Sequence, residues 1–201
     1  MVETSLWMQK VAADPGHSRW YIERFRAMER AGDDVVGEAR FVDALARRGS
    51  HILDAGCGSG RVGGYLAGVG HRVVGVDVDP ALVEAAEHDH PGPRWLVGDL
   101  AELDLPARGI AEQFDIIVSA GNVMTFLAPS TRVQVLSRLR AHLKAGGRAV
   151  IGFGAGREYS YSQFLDDAVE AGFAVDLLLS TWDVRPFTDD SDFLVALLKP
   201  A

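Results

Sequence analysis

Cysteine occurs once in 201 residues, at Cys57, which excludes an internal disulfide and any metal site built from several thiolates. No apolar run approaches ~20 residues, so no segment reads as a helical membrane span. Basic residues do not dominate either: Lys plus Arg number 20 against 28 Asp plus Glu, a formal net charge of -8. An acidic surface repels phosphate backbones and no basic patch is legible in the sequence, so no nucleic-acid partner is expected. The first residues, MVETSLWMQK, lack a basic region followed by an apolar one. No secretory signal is therefore expected, and the cytoplasm is the expected compartment. Repeats and low-complexity tracts are also missing. What is present is an ordinary globular balance, 48% hydrophobic and 24% charged, in a length suited to one domain.

From Ser50 onward, short apolar runs alternate with helix-period stretches. The runs are His51 to Asp54, Arg72 to Val76, Trp95 to Val97, Phe114 to Val118 and Arg148 to Ile151. Short uninterrupted apolar runs are what strands buried on both faces look like, so a parallel sheet is expected. Helices are expected between them: one from about Arg61 to Val69, one opening at the Asp79-Pro80 cap, one from Ser130 to Lys144 stopped by Gly146-Gly147, and one from Ser160 to Ala171. Phe173 to Trp182 and Asp192 to Lys199 read as two strands with only a short link, hence an antiparallel hairpin. Residues 1–49 carry no strand signal, and Arg19 to Arg26 and Glu38 to Arg48 look helical. The expected architecture is an α/β/α sandwich on a mostly parallel seven-stranded sheet, with 1–49 as a helical cap and 50–201 as the core.

Chemistry concentrates in Asp54-Ala55-Gly56-Cys57-Gly58-Ser59-Gly60, directly after the first strand and before a helix. Alternate glycines let the backbone turn sharply and approach a ligand, and the next helix aims its first amides at the same crevice. Two further carboxylates follow strand ends: Asp77, suited to accepting both hydroxyls of a ribose, and Asp99, suited to accepting an adenine amino hydrogen. Three successive strands thus end in an acid, a stronger signal than glycine spacing alone. Asp54 either orients the glycine loop through backbone amides or reaches a ligand.

Ile52 to Gly60, Val76-Asp77, Gly98-Asp99 and Phe114 to Val118 together resemble the class I S-adenosylmethionine-dependent methyltransferases, sharply so from Ile52 to about Leu127. The resemblance implies a Rossmann-like fold and S-adenosyl-L-methionine as cofactor. It places Gly56, Cys57, Gly58 and Gly60 at the methionine part, Asp77 and Val78 at the ribose, and Asp99 and Leu100 at adenine. The methyl-transfer pocket falls to Ser119, Ala120, Gly121, Asn122 and Val123. In similar enzymes the segment ahead of the core folds over the cofactor, which implicates Tyr21, with His17 and Arg24 on its helix face. The implied partner is a small-molecule methyl acceptor: the loop Ser119-Ala120-Gly121-Asn122 lacks the Asn/Asp-Pro-Pro-aromatic sequence of enzymes that methylate exocyclic amines of bases.

Two other readings share these residues. A dinucleotide dehydrogenase needs a third small residue where Arg61 stands, and a pyrophosphate is ill-served by Asp54 beside the loop. A protein that binds the cofactor without turning it over, as a sensor, would use the same motifs. Blander assignments cover the rest. Cys57 fills the loop, and His51, His71, His88, His90 and His142 are structural or solvated without metal-ligand spacing. Gly152 to Gly156 lacks the Lys-Ser/Thr pair of a phosphate loop and reads as a flexible turn. Trp182, Asp183, Arg185, Asp189 and Asp190 are candidates for an acceptor-side loop.

Overall fold

The computed structural model describes residues 2–201; Met1 lies outside the described residues. Three helices come first: α1 (Leu6–Ala13), α2 (His17–Ala31) and α3 (Gly37–Leu45). The core then runs β1 (His51–Ala55), α4 (Arg61–Gly68), β2 (Arg72–Asp77), α5 (Pro80–Asp89), β3 (Arg94–Val97), β4 (Phe114–Ser119), α6 (Val123–Phe126), α7 (Arg132–His142), β5 (Leu143–Gly154), α8 (Tyr161–Glu170), β6 (Phe173–Leu179) and β7 (Phe193–Pro200). The seven strands order as β3-β2-β1-β4-β5-β7-β6. The pairs from β3 through β5 are parallel, and β7 pairs antiparallel with both β5 and β6. This is the expected Rossmann-like sheet with its terminal hairpin. Because chain order reverses between β1 and β4, their carboxyl ends part and leave a crevice there.

The strands are apolar on consecutive residues because both faces are covered. Leu53, Val76, Ile117 and Phe153 pack toward α7 and α8, while their neighbours Ile52, Val118, Val150 and Val195 pack toward α3 and α4. Three of the expected histidines serve this scaffold. His51 stacks on Phe114 with ring centroids 4.2 Å apart, the buried His71 meets Asp43 at 2.8 Å, and His142 accepts the Leu105 amide at 3.1 Å.

Four details differ from the sequence reading. Helix α1, capped by the Ser5 hydroxyl, was not foreseen: at 8 residues it shows too few turns for its periodicity to stand out. Helix α7 ends at His142, not Lys144, because Leu143 already pairs with Phe114 in the sheet. Gly146 and Gly147 consequently lie inside β5, and a side chain at Gly147 would meet the Asp115 carbonyl at 2.9 Å. Strand β6 stops at Leu179 rather than Trp182, because the Ser180 amide turns to the Arg185 carbonyl at 2.8 Å.

Candidate active site

The loop after β1 is sewn to the end of β2. The amides of Gly56 and Cys57 both reach the Val76 carbonyl, at 2.8 and 3.1 Å, and the Gly58 amide donates to Asp77 Oδ2 at 2.8 Å. Gly56, Gly58 and Gly60 all hold positive φ, at 82°, 53° and 86°, a region that side chains with a Cβ rarely enter. Their surroundings differ. A Cβ at Gly56 would strike the Val123 side chain at 2.4 Å, and one at Gly60 would strike Ala86 at 2.8 Å. One at Gly58 would only touch the Tyr21 ring at 3.5 Å. Gly60 therefore serves close packing against α5 and Trp95, and Gly56 against Val123 of α6, while Gly56 and Gly58 both border an open space below α6 and α2.

That space is a cavity open to solvent at the carboxyl ends of β1, β2 and β4, its empty volume of about 640 Å³ reaching out through the mouth. Gly56, Gly58, Asp77, Val78, Asp99, Leu100, Ala120, Gly121, Val123 and Tyr21 line it, so ten of the residues singled out in the sequence converge on one void. Its floor and roof are apolar: Leu82, Val123, Phe126 and Leu127 from the core, Trp7 from α1. No Lys or Arg is among the described residues lining it. A smaller crevice of about 310 Å³ opens beside it, lined by Asp54, Cys57, Ser59 and Arg61 and again by Tyr21 and Gly121. Cys57 is buried and packs with Val83, Ala86 and Trp95, the filling role its size suggests. Asn122 lies outside the main cavity. It holds φ 67°, and its Oδ1 accepts the Gly154 amide at 2.7 Å, tying the end of β4 to the end of β5. Ser119 is buried with no hydrogen-bond partner for its hydroxyl and lines none of these openings.

Electrostatically the site is acidic. Asp77 is buried with both oxygens in use, Oδ1 accepting the Asp79 amide at 3.0 Å, and burial pushes its carboxyl up to about 6. Asp54 accepts the Gly63 amide at 2.9 Å; burial pushes it to about 7, against the pull of that bond. Asp54 thus orients α4 and also borders the crevice. The nearest cation, Arg61, is engaged elsewhere. Its guanidinium forks onto Glu38 at 2.7 and 2.5 Å and also donates to the Val35 carbonyl. A long side chain is tolerated after Gly60 because its guanidinium is drawn to Glu38 on α3, at the edge of the crevice. Burial raises the Tyr21 phenol to about 12, so it stays protonated.

Sequence reasoning missed the wall contributed by α1. Trp7 packs edge-on against both Tyr21 and Phe126, with centroids 5.4 Å apart in each case. Its indole donates to Asp79 Oδ2 at 2.9 Å, and the Ser18 hydroxyl donates to the same oxygen at 2.5 Å. Asp79 had been read only as the cap of α5, which it is, through the Ala81 amide. The same buried carboxylate also fastens the N-terminal helices over the cavity. A tryptophan at the second position of a short helix was the available sign.

A third opening, a groove of about 1080 Å³, meets the cavity at Tyr21 and Gly121 and runs out between α2, α3 and the β6–β7 connection. Asn122 and Trp182 line it; Asp183, Arg185, Asp189 and Asp190 do not.

Comparison with known proteins agrees with this geometry. The profile of a family described as "Methyltransferase domain" matches residues 52–147. A TehB-like SAM-dependent methyltransferase from Corynebacterium glutamicum is 48% identical, over 94% of this chain and 100% of that one, with a TM-score of 0.88. An S-adenosylmethionine-dependent methyltransferase from Clostridium acetobutylicum, 13% identical, shares the fold over 91% of this chain and 98% of its own, with a TM-score of 0.77. Among curated proteins, the mouse 18S rRNA (guanine-N(7))-methyltransferase is 32% identical over 62% of this chain and 46% of its own length. The magnesium-protoporphyrin O-methyltransferase of Rhodobacter capsulatus is 31% identical over 63% and 54%. The chain spans about half the length of these curated relatives. With its glycine loop, its three strand-end acids and a near-full-length relative at 48% identity, the chain belongs to the class I S-adenosylmethionine-dependent methyltransferase family.

Proposed function

We propose that the chain binds S-adenosyl-L-methionine in the 640 Å³ cavity and its side crevice, and methylates a small-molecule acceptor approaching through the groove. One observation carries the reading: among the described residues, the main cavity combines an apolar slot with the buried Asp77 and the half-buried Asp99 and no cation. Asp77 would accept the ribose hydroxyls, and Val78, Leu82, Leu100 and Phe126 would sandwich the adenine, with Asp99 at its edge. The methionine end would lie along Gly56 and Gly58 toward Asp54. Carboxylates favour a ligand bearing a sulfonium and an ammonium and oppose a pyrophosphate, which argues against a nicotinamide dinucleotide. When bound, the cofactor supplies a methyl on a sulfonium, an electrophile open to in-line displacement. The protein's part is then alignment and exclusion of water by Trp7, Tyr21 and Phe126. Asn122, pinned by Gly154, is suited to orienting an acceptor and is not assigned as a base.

The test is calorimetry with S-adenosyl-L-methionine and with NAD, followed by S-adenosylhomocysteine release against a metabolite panel. Binding of the sulfonium compound with turnover is expected. Binding of NAD alone would overturn the reading. Binding without turnover on any metabolite would favour a sensor, a role that the open groove beside the cavity argues against.

A further inference from the structure

The chemistry of the groove narrows the acceptor. Its walls are aromatic: Tyr21 and Phe25 on one side, 4.9 Å between centroids, and Trp182 and Phe193 on the other, 6.4 Å between centroids. Trp182 is held there because it packs across Gly152, where a Cβ would lie 2.3 Å from its ring. Most charge in the groove is already spent. Arg61 is forked onto Glu38, and Asp34 is bound by Arg40 at 2.5 Å. Two charged groups are left over. Arg24 has no carboxylate within salt-bridge distance among the described residues; it sits over Trp20 and Phe25, 5.7 and 5.8 Å from their centroids. Stacking of this kind steadies a guanidinium without using its N–H donors. The other is Asp192, on the opposite rim. Its carboxylate, after burial, helps to raise the Tyr161 phenol, a side chain that does not line the groove.

We propose that the groove takes a planar aromatic acceptor carrying an anionic group, its ring between Phe25 and Trp182 and its anion on the Arg24 guanidinium. This deepens the methyl-transfer reading and rests on it for the groove's role. A flat ring finds the Trp182 face on one wall and, on the other, Phe25 with the guanidiniums of Arg24 and Arg61 over it at 5.8 and 5.1 Å, and a carboxylate or similar oxyanion finds two parallel N–H donors on Arg24. An aromatic amine would meet the same rings but would have to turn from the guanidinium beside Phe25 to Asp192 on the opposite rim, the alternative that the amine probe tests. A sugar or aliphatic acid would leave the rings unused.

The test is calorimetry on the full chain with four probes: naphthalene-2-carboxylate, 2-naphthylmethylamine, 2-naphthol and cyclohexanecarboxylate. The naphthoate is expected to bind about tenfold or more tighter than the amine and than the cyclohexane acid. Arg24→Gln is expected to erase that margin, weakening the naphthoate about tenfold while leaving naphthol and S-adenosyl-L-methionine unchanged. Arg24→Lys is expected to fall between. Arg24 is exposed on α2, so an unchanged thermal midpoint serves as the folding control. Equal affinity for acid and amine, a cyclohexane acid that matches the naphthoate, or an Arg24→Gln variant indistinguishable from wild type would each overturn the proposal. Failure of S-adenosyl-L-methionine to bind, with naphthoate still held through Arg24, would sink the methyl-transfer reading and leave the ligand class standing.

Discussion

Lowering the pH should weaken cofactor binding steeply, for reasons traceable to two buried acids. Burial holds Asp77 near 6 and Asp54 near 7, against an ordinary 3.8 for each. A ligand bearing a sulfonium and an ammonium against a single carboxylate is net positive; it favours the ionised form of both acids and pulls these values back toward about 4. Linkage then sets the size. At about pH 5 the Asp77 proton must be displaced at a cost of about tenfold in affinity, and the Asp54 proton at up to about a hundredfold. The two titrate as a coupled pair, so the combined loss between about pH 8 and pH 5 falls between about tenfold and a thousandfold. Near pH 6.5 binding should expel about one proton. Calorimetry in two buffers of different ionisation enthalpy measures both quantities at once. S-adenosylhomocysteine, without the sulfonium charge, should give a shallower slope. The ligand-free protein should show the opposite trend: its folded acids hold protons more tightly than the unfolded chain, so this contribution to stability is present below about pH 4 and lost through about pH 7. An affinity constant from about pH 5.5 to 8, with no proton released, would refute the reasoning.

Three substitutions probe separate parts of the site. Asp77→Asn keeps the shape but turns an amide N–H toward the Gly58 or Asp79 amide. It should weaken S-adenosyl-L-methionine by about 1.5–3 kcal/mol in calorimetry, with thermal stability followed alongside. Gly60→Val places a side chain at φ 86° against Ala86 and Trp95, and should cost about 1–3 kcal/mol in denaturant unfolding. Tyr21→Ala removes the ring that borders the cavity, the crevice and the groove, and should lower cofactor affinity; an unchanged dissociation constant would mean that α2 only packs on the core.

The legibility of these features in the sequence tracks how locally each is specified. Strand ends and the glycine loop were readable because a buried strand must be apolar, and a turn at three positive-φ positions must be glycine. Asp77 and Asp99 were readable because an acid at the end of an apolar run contrasts with everything around it. The α7–β5 boundary was not, since Leu143 suits a helix face as well as a strand and only its pairing with Phe114 decides. Asp79 shows a different limit. Its capping role is written in the adjacent Pro80, but its bonds to Trp7 and Ser18 span 72 and 61 residues, and nothing local marks them. Asn122 stands out in the sequence as a versatile polar group, yet its partner, the Gly154 amide, belongs to another strand.

Those long-range bonds also explain how specificity is divided in this molecule. The cofactor side of the site is built from strand ends whose geometry the sheet imposes, so it must be encoded between Asp54 and Leu100. The groove is built from α2, α3 and the β6–β7 connection, which the sheet does not position directly. Something must hold these outer elements in register with the cavity, and two buried contacts do so. Asp79 anchors α1 and α2 through Trp7 and Ser18, and Glu38 anchors α3 through Arg61 at the first turn of α4. Each joins an outer helix to a residue within three positions of a cavity-lining acid or glycine. Side chains that line only the groove, such as Arg24 and Trp182, are therefore free to change without disturbing the cavity, whereas loss of Asp79 or Arg61 should loosen both together. Arg24 stands on the free side of that division, and that is why its substitution can report on the acceptor alone.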